Sequence, residues 1–530
     1  MKTTTVLKFA FALPITLCAA GLLMSCVGDS GGSAAPPAPP APPASSAPGI
    51  SASPSTVTFA AQTAVASSAP QVVTVTNTGN AALSTTAVTI TGTDAVAFSQ
   101  TNGCSSIVAP GASCTISVTY TPGKAGAASA TLSIASNATA SPSTIALSAS
   151  FTALNFSTFQ PASVVIGAPN MTTAGTGAAA PDSFIAPYGN PAVSPAGTLY
   201  IADNTNSAVL GYNSVPRTDG ASADFVLGQP NLYTGTLTVT AQGSISANPT
   251  TVLVYDNHLL VADFYNNRIL IWNSLPTTTG ALPDVVLGQA GFTTNIPGCT
   301  ANSFDGPQSM AIANGNLVVA DQNNNRVLIY QGVPATTGAP AIGVLGQADF
   351  MTCTLRGTSA SNLHFTEDVG SDGTHLIVAD MYNNRVLIWN TTDPTTLARG
   401  QAADMVLGQT SFLNNGSGMT DLAFNLPSNV AVDAITGRMA IVDFVNSRVL
   451  LWDRVPTCAP TPCVITTPAN AVLGQIDFTS ANFNAVSGTG AAGAISAYGL
   501  EYPYGATFNG PNQLIISDER NNRVLIYNAN

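Results

Sequence analysis

One short pattern occurs six times in this chain and limits its fold more than any other feature. An apolar run ending in aspartate stands at Leu199-Tyr-Ile-Ala-Asp203, Leu259-Leu-Val-Ala-Asp263, Leu317-Val-Val-Ala-Asp321, Leu376-Ile-Val-Ala-Asp380, Met439-Ala-Ile-Val-Asp443 and Leu514-Ile-Ile-Ser-Asp518. The aspartates are 60, 58, 59, 63 and 75 residues apart. Five are followed by Asn-Asn-Arg or Asn-Ser-Arg, ending at Arg268, Arg326, Arg385, Arg448 and Arg523, whereas the first repeat has Ala208 there. A second apolar run follows, such as Val386-Leu-Ile-Trp389. Self-similarity at a fixed period marks a repeat architecture, in which each unit buries its apolar surface against its neighbours.

Two continuous apolar runs joined by a polar turn read as a hairpin buried on both faces, as in a stacked blade. Val-Leu-Gly-Gln follows at Val226–Gln229, Val286–Gln289, Val344–Gln347, Val406–Gln409 and Val472–Gln475. A preceding strand around Ala311-Ile-Ala313 or Val430-Ala-Val432 makes four strands per unit. The sixth unit ends at Asn530 after its third strand, while Val164-Val-Ile-Gly167 stands alone ahead of the first unit as a surplus copy of the fourth. The surplus fits the deficit. The expected architecture is an all-β, six-bladed β-propeller whose N-terminal strand closes the last blade, leaving only short protected edges. The apolar-Ala-Asp strand end and the Asn-Arg-apolar hairpin resemble NHL repeats over about residues 160–530, and the propeller is placed at 153–530. The resemblance implies a binding scaffold or sensor head, or, as in related six-bladed rings, a metal-dependent lyase or lactonase.

Upstream, Gln71–Gly79, Cys114–Pro122 and Ala130–Ile134 alternate in β fashion between turn signals, as in an antiparallel Ig-like β-sandwich of about seven strands over 50–152. Asn77-Thr-Gly-Asn80, the Cys104 to Cys114 segment with Pro110-Gly111, and Tyr120-Thr-Pro-Gly123 resemble ASPM-SPD-2-Hydin and choice-of-anchor D domains. The resemblance implies a spacer or adhesive module.

Residues 1–25 have the charged start and short apolar stretch of a secretory signal. Leu23-Met-Ser-Cys26 resembles a bacterial lipobox, which implies cleavage before Cys26, lipidation of its thiol and, with Val27 next, delivery to the outer membrane, facing the periplasm or the cell surface. Residues 26–49 are rich in Pro, Ala, Gly and Ser and read as an extended linker.

Of eight cysteines, Cys18 leaves with the leader and Cys26 carries lipid, so Cys104, Cys114, Cys299, Cys353, Cys458 and Cys463 remain as disulfide candidates in an oxidising compartment. Local spacing pairs Cys104 with Cys114 and Cys458 with Cys463. Cys299 and Cys353 fall in equivalent loops of neighbouring repeats, and spacing alone leaves their pairing open. Charged residues make up 8% of the chain, the net charge is −12, and Lys124 is the only lysine after residue 8. No basic face can be assembled, so nucleic acid is not an expected partner.

Asp203, Asp263, Asp321, Asp380, Asp443 and Asp518 recur at one turn in every repeat, which points to turn-making rather than catalysis. Arg268, Arg326, Arg385, Arg448 and Arg523 are expected to reach carboxylates or carbonyls of adjacent blades, with some lining the ring opening. Tyr212, Trp272, Tyr330, Trp389, Trp452 and Tyr527 occupy one position in six repeats and read as packing between blades. His258, His364 and His375 do not converge in sequence on a zinc site. Asp321-Gln-Asn-Asn-Asn325 lacks the glycine and distal glutamate of a calcium loop. Gly488–Gly493 and Gly28–Gly32 fit dinucleotide and nucleophile-elbow patterns without the required context.

No catalytic, metal or cofactor residue is therefore assigned, and no cofactor is expected. The connections Gln229–Thr250, Gln289–Gln308, Gln347–Glu367, Gln409–Pro427 and Gln475–Pro503 vary on a repeating frame, where specificity resides. The expected function is a lipid-anchored, monomeric binding or scaffold protein that uses this loop face for a protein, peptide or glycan. The competing readings are a propeller hydrolase or lyase with a metal on the ring axis, and a surface adhesin or structural protein.

Overall fold

A computed structural model describes residues 46–235, 242–245, 248–486 and 489–530. The leader, Cys26, the linker through Ser45 with its Gly28–Gly32 motif, and Gly488 lie outside the described residues. The described chain is all-β, with 3-10 turns as its only helical segments.

Residues 50–151 form two four-stranded sheets. One orders Ile50–Ser53, Gln71–Asn77, Ser113–Tyr120 and Phe98–Asn102, the other Thr56–Thr58, Ser143–Phe151, Gly126–Ser136 and Thr85–Thr91. Alternate residues such as Ile116, Val118 and Tyr120 of one sheet and Leu132, Ile134 and Leu147 of the other fill the space between them. The count is eight strands rather than about seven. Thr56–Thr58 pairs parallel with Ser143–Phe151 and is too short for alternation to announce it.

The remaining residues form six sheets of four strands in sequence order, each opening at the segment that precedes an aspartate run. The fourth carries an additional parallel strand, Cys463–Val464, on its outer edge. In the last sheet Val164–Ile166 pairs antiparallel with Arg523–Asn528, in the register Val165 opposite Leu525. The expected pairing of the leading strand with the tail is present.

Six apolar clusters lie between consecutive sheets, and the sixth combines Ile515, Val524 and Ile526 of the last sheet with Leu199, Ile201 and Leu210 of the first. The recurrent aromatics each belong to a different cluster, Tyr212 in the one joining last to first. All six are buried, and the indole N–H groups of Trp272, Trp389 and Trp452 donate to the carbonyls of Ala281, Gln401 and Thr467. These rings therefore pack sheet against sheet instead of facing a ligand.

Disulfides join Cys104 to Cys114, Cys299 to Cys353 and Cys458 to Cys463. The sandwich meets the repeat region at hairpins between first and second strands: Asn512 donates to the carbonyl of Thr63 and accepts from Leu154, and Lys124 and Ala125 line a cleft with Asp372 and Ile435. Buried Arg438 holds the junction by donating to the carbonyls of Leu154 and Pro511.

Candidate functional site

The repeat aspartates and arginines build the frame of the site. Oδ1 of Asp380 accepts the backbone N–H of His364 at 2.7 Å, while its Oδ2 accepts from Nδ2 of Asn383 at 2.9 Å and Nε of Arg385 at 2.6 Å. The Arg385 guanidinium then donates to the carbonyls of Phe412, Ser359 and Asn362 in the long connections. Arg326, Arg448 and Arg523 repeat this arrangement with Asp321, Asp443 and Asp518, and Arg268 likewise pairs with Asp263. All five arginines have wholly buried side chains and bind the aspartate of their own repeat, which corrects the expectation of carboxylates in adjacent blades and of arginines lining an opening, while the expected contacts to carbonyls are present in the connections to both neighbouring sheets. A guanidinium five residues after the aspartate faces it directly across the hairpin register, so the nearest carboxylate wins. Burial pushes Asp321 up to about 6 even beside its arginine, and Asp203, whose repeat has Ala208 instead, up to about 7.

A second device links repeats. The residue following the Asn-Asn or Asn-Ser turn's first member adopts the left-handed conformation at Asn267, Asn325, Asn384, Ser447 and Asn522. From there Oδ1 of Asn267, Asn325 and Asn384 accepts the backbone N–H of Gly306, Phe365 and Leu426 in the following sheet, at 2.8–2.9 Å. Asparagine tolerates this conformation and offers an acceptor, which explains its repetition.

Six residues from the start of the six sheets come together: Thr250, Gln308, Glu367, Ser428 and Tyr504, each second in the first strand of its sheet, and Tyr188, which follows the bridge residue Pro187 ahead of the first sheet's short opening strand. Glu367 is the acid among them. Its Oε1 accepts from Tyr504 Oη at 2.5 Å and Gln308 Nε2 at 2.6 Å, and its Oε2 from Gln322 Nε2 at 2.5 Å. Beside it, Oδ2 of Asp368 accepts from Asn429 Nδ2 at 2.6 Å and the N–H of Val430 at 2.7 Å, while Oδ1 accepts from Ser309 Oγ and Asn190. Burial outweighs these donors and raises Glu367 to about 8 and Asp368 to about 7. Tyr188 stacks on Tyr504 with ring centroids 3.6 Å apart, and burial holds both phenols well above their usual range.

Above this cluster, on the side of the aspartate hairpins and long connections, a pocket of about 370 Å³ opens. Tyr188, Phe264, Tyr265, Phe365 and Tyr504 supply aromatic surface, and Asn248, Thr250, Gln308, Gln322 and Asn323 supply amides and a hydroxyl. Next to it Phe365 stacks on Tyr382 at 4.4 Å, with His364 edge-on to the same ring. His375 pairs instead with Asp372 at 2.8 Å in a hairpin of the opposite side. Among the described residues no group of three or more His, Cys, Asp or Glu is placed to hold a metal.

Residues 304–330, which supply Asp321, Arg326, Gln308 and Gln322, match the NHL repeat model. Residues 48–144 match the family model described as abnormal spindle-like microcephaly-associated, ASPM-SPD-2-Hydin, or ASH. The chain carries an ASH domain and an NHL repeat. No curated protein matches it in sequence. Among solved structures, an auxiliary nutrient binding protein from Bacteroides ovatus is similar at 12% identity, covering 90% of this chain and 96% of that one, with a TM-score of 0.38. A streptogramin B lyase is similar at 11% identity over 65% of this chain and 94% of that one, with a TM-score of 0.34. A Porphyromonas gingivalis W83 protein of unknown function is similar at 17% identity over 20% of this chain, which spans 50% of its length, with a TM-score of 0.18.

Sequence reasoning singled out the NHL hairpin residues but not the convergent set that lies beneath the pocket. Glu367 served there only as the end of a variable loop, although it lies inside the strand Thr366–Ser371. A signal existed: Tyr188, Thr250, Gln308, Glu367, Ser428 and Tyr504 lie 13 to 15 residues before the six aspartates, and Glu367-Asp368 sets two adjacent acids in a strand that is otherwise uncharged.

Proposed function

We propose that residues 153–530 form one closed six-bladed NHL-type propeller behind the sandwich of 50–152, and that the protein is a lipid-anchored, extracytoplasmic binding or scaffold protein. Closure is supported by the pairing of Val164–Ile166 with the tail and by the apolar cluster shared by last and first sheets. Lipidation of Cys26, delivery to the outer membrane and a monomeric state rest on the sequence reading and are part of the proposal.

The observation that carries the binding role is the placement of exposed apolar side chains. Of sixteen large ones among the described residues, ten stand on the face of the long connections and aspartate hairpins, including Tyr265, Met351, Tyr382, Leu413 and Phe483. Such a concentration around a polar-aromatic pocket is the surface of a partner or ligand site. The axial carboxylates argue for support over catalysis, since all four oxygens of Glu367 and Asp368 already accept from protein donors.

The test is binding of the mature protein to glycan arrays and candidate surface proteins, compared with a Met351→Ser, Leu413→Ser, Phe483→Ser variant. Loss of binding in a variant with unchanged melting temperature supports the face. Equal binding by both proteins would overturn it.

A further inference from the structure

The walls and floor of the pocket say which chemistry it accepts. Gln308 and Gln322 are both 3% exposed and both line it, and each donates Nε2 to the carboxylate of Glu367. That donation fixes the amide orientation: with the nitrogen turned to the carboxylate, Oε1 of each points away from it. Neither Oε1 accepts a hydrogen bond among the described residues, and neither is sealed in the interior. A nearly buried amide oxygen without a donor costs about 1–3 kcal/mol unless water or a ligand supplies one.

The rest of the lining narrows the donor. Among the described residues that line the pocket, none has a charged side chain. An anion would meet two amide oxygens, whose partial negative charge repels it. A cation would find its nearest carboxylate already taken by three protein donors. A purely apolar ligand would strand the amides. What remains is a neutral molecule with hydroxyl donors along its edges and apolar faces that stack on aromatic rings.

We propose that this pocket binds a neutral sugar residue, which stacks on the aromatic walls and donates hydroxyl hydrogen bonds to Oε1 of Gln308 and Gln322. Glu367 is a positioning residue that never touches the sugar and acts by turning both amides. The inference rests on the reading of this face as the binding face and names the chemical class held at its centre.

Calorimetric titration of the mature protein tests it, with glucose, galactose, mannose, xylose, N-acetylglucosamine and maltose as probes and glucuronate, glucosamine and choline as charged controls. Binding of at least one neutral sugar is expected, in preference to all three controls. Gln322→Leu weakens it by about tenfold, the scale of a hydrogen bond left unmade. Glu367→Gln weakens it too, because an amide there no longer forces both glutamines to present their oxygens. Tyr265→Ala touches neither glutamine nor Glu367, and it weakens stacking even if the glutamine variants fail to fold. Binding of no neutral sugar at millimolar concentration, preference for a charged control, or full affinity in folded Gln322→Leu and Tyr265→Ala would overturn the proposal. Loss of partner capture in the Met351, Leu413, Phe483 variant with no sugar bound would sink the sugar assignment alone. A sugar that titrates normally while that variant loses nothing would sink the broader reading of the face and leave the pocket.

Discussion

Oδ1 of Asn522 accepts the backbone N–H of Ala186 at 2.9 Å, across 336 positions of sequence. The same bond joins Asn384 to Leu426 and Asn325 to Phe365 in neighbouring repeats. The junction of last to first repeat thus uses the same fastening as the internal junctions. Asn522→Ala should lower stability by about 1–2 kcal/mol, as Asn384→Ala should, because each strands a partly buried N–H. Urea unfolding checks this, and a negligible effect confined to Asn522 would argue that the last junction opens freely.

Removal of the leading strand makes a stronger demand. A chain beginning at residue 158 keeps Val164–Ile166 opposite Val524–Ile526, whereas one beginning at 168 leaves that strand edge and its apolar cluster uncovered. The shorter chain should melt far lower or aggregate, as exposed strand edges do. Matching melting curves would refute a stabilising role for this strand.

Arg385 and Asp380 are both wholly buried. Arg385→Ala strands the carboxylate and three carbonyls, so a loss of about 3–5 kcal/mol is expected. Asp203 lacks such a partner, and Asp203→Asn should be nearly neutral near pH 7. Chemical denaturation of the two variants separates the cases, and a cost for Asp203→Asn equal to that for Arg385→Ala would contradict the assignment.

Stability should also fall as pH rises. Glu367 is lifted from 4.5 to about 8, and Asp368 and Asp203 from 3.8 to about 7. Between the ordinary and raised values the folded chain holds protons that the unfolded chain has released, so each added pH unit favours unfolding. Melting temperature should therefore be higher at pH 5 than at pH 8, with a shallower slope in Asp203→Asn. A slope of opposite sign would show that these carboxyls are ionised in the fold.

The Cys299–Cys353 bond spans 54 residues and ties connections of neighbouring repeats. By loop-closure entropy, Cys299→Ser with Cys353→Ser should cost about 2–4 kcal/mol, more than the same change at Cys458 and Cys463, which are 5 residues apart. Thermal melts of the two double variants give the comparison, and the reverse order would refute it.

What the sequence made legible is what the repeat copies. Asp380, Asn384, Arg385 and Trp389 recur, with Ser207-Ala208 in the first repeat, Ser447 in the fifth and tyrosine for tryptophan in three as departures, because most junctions use the same turn, fastening, clamp and wedge. The arginines were located but their partners were not, since a spacing of five across a hairpin shows itself only once the register is known. Glu367, Gln308 and Tyr504 stayed hidden for the opposite reason: they share a position but not a residue type, and their relation appears only when strands far apart in sequence converge.

The sandwich abuts the repeat region at the hairpins holding Asp372, Ile435 and Asn512, on the side away from the aspartate turns. The sandwich therefore lies behind the repeat region as seen from the mouth of the pocket. The arrangement is that of a cup on a stem, with its rim on the side of the aspartate turns and the sandwich beneath its base.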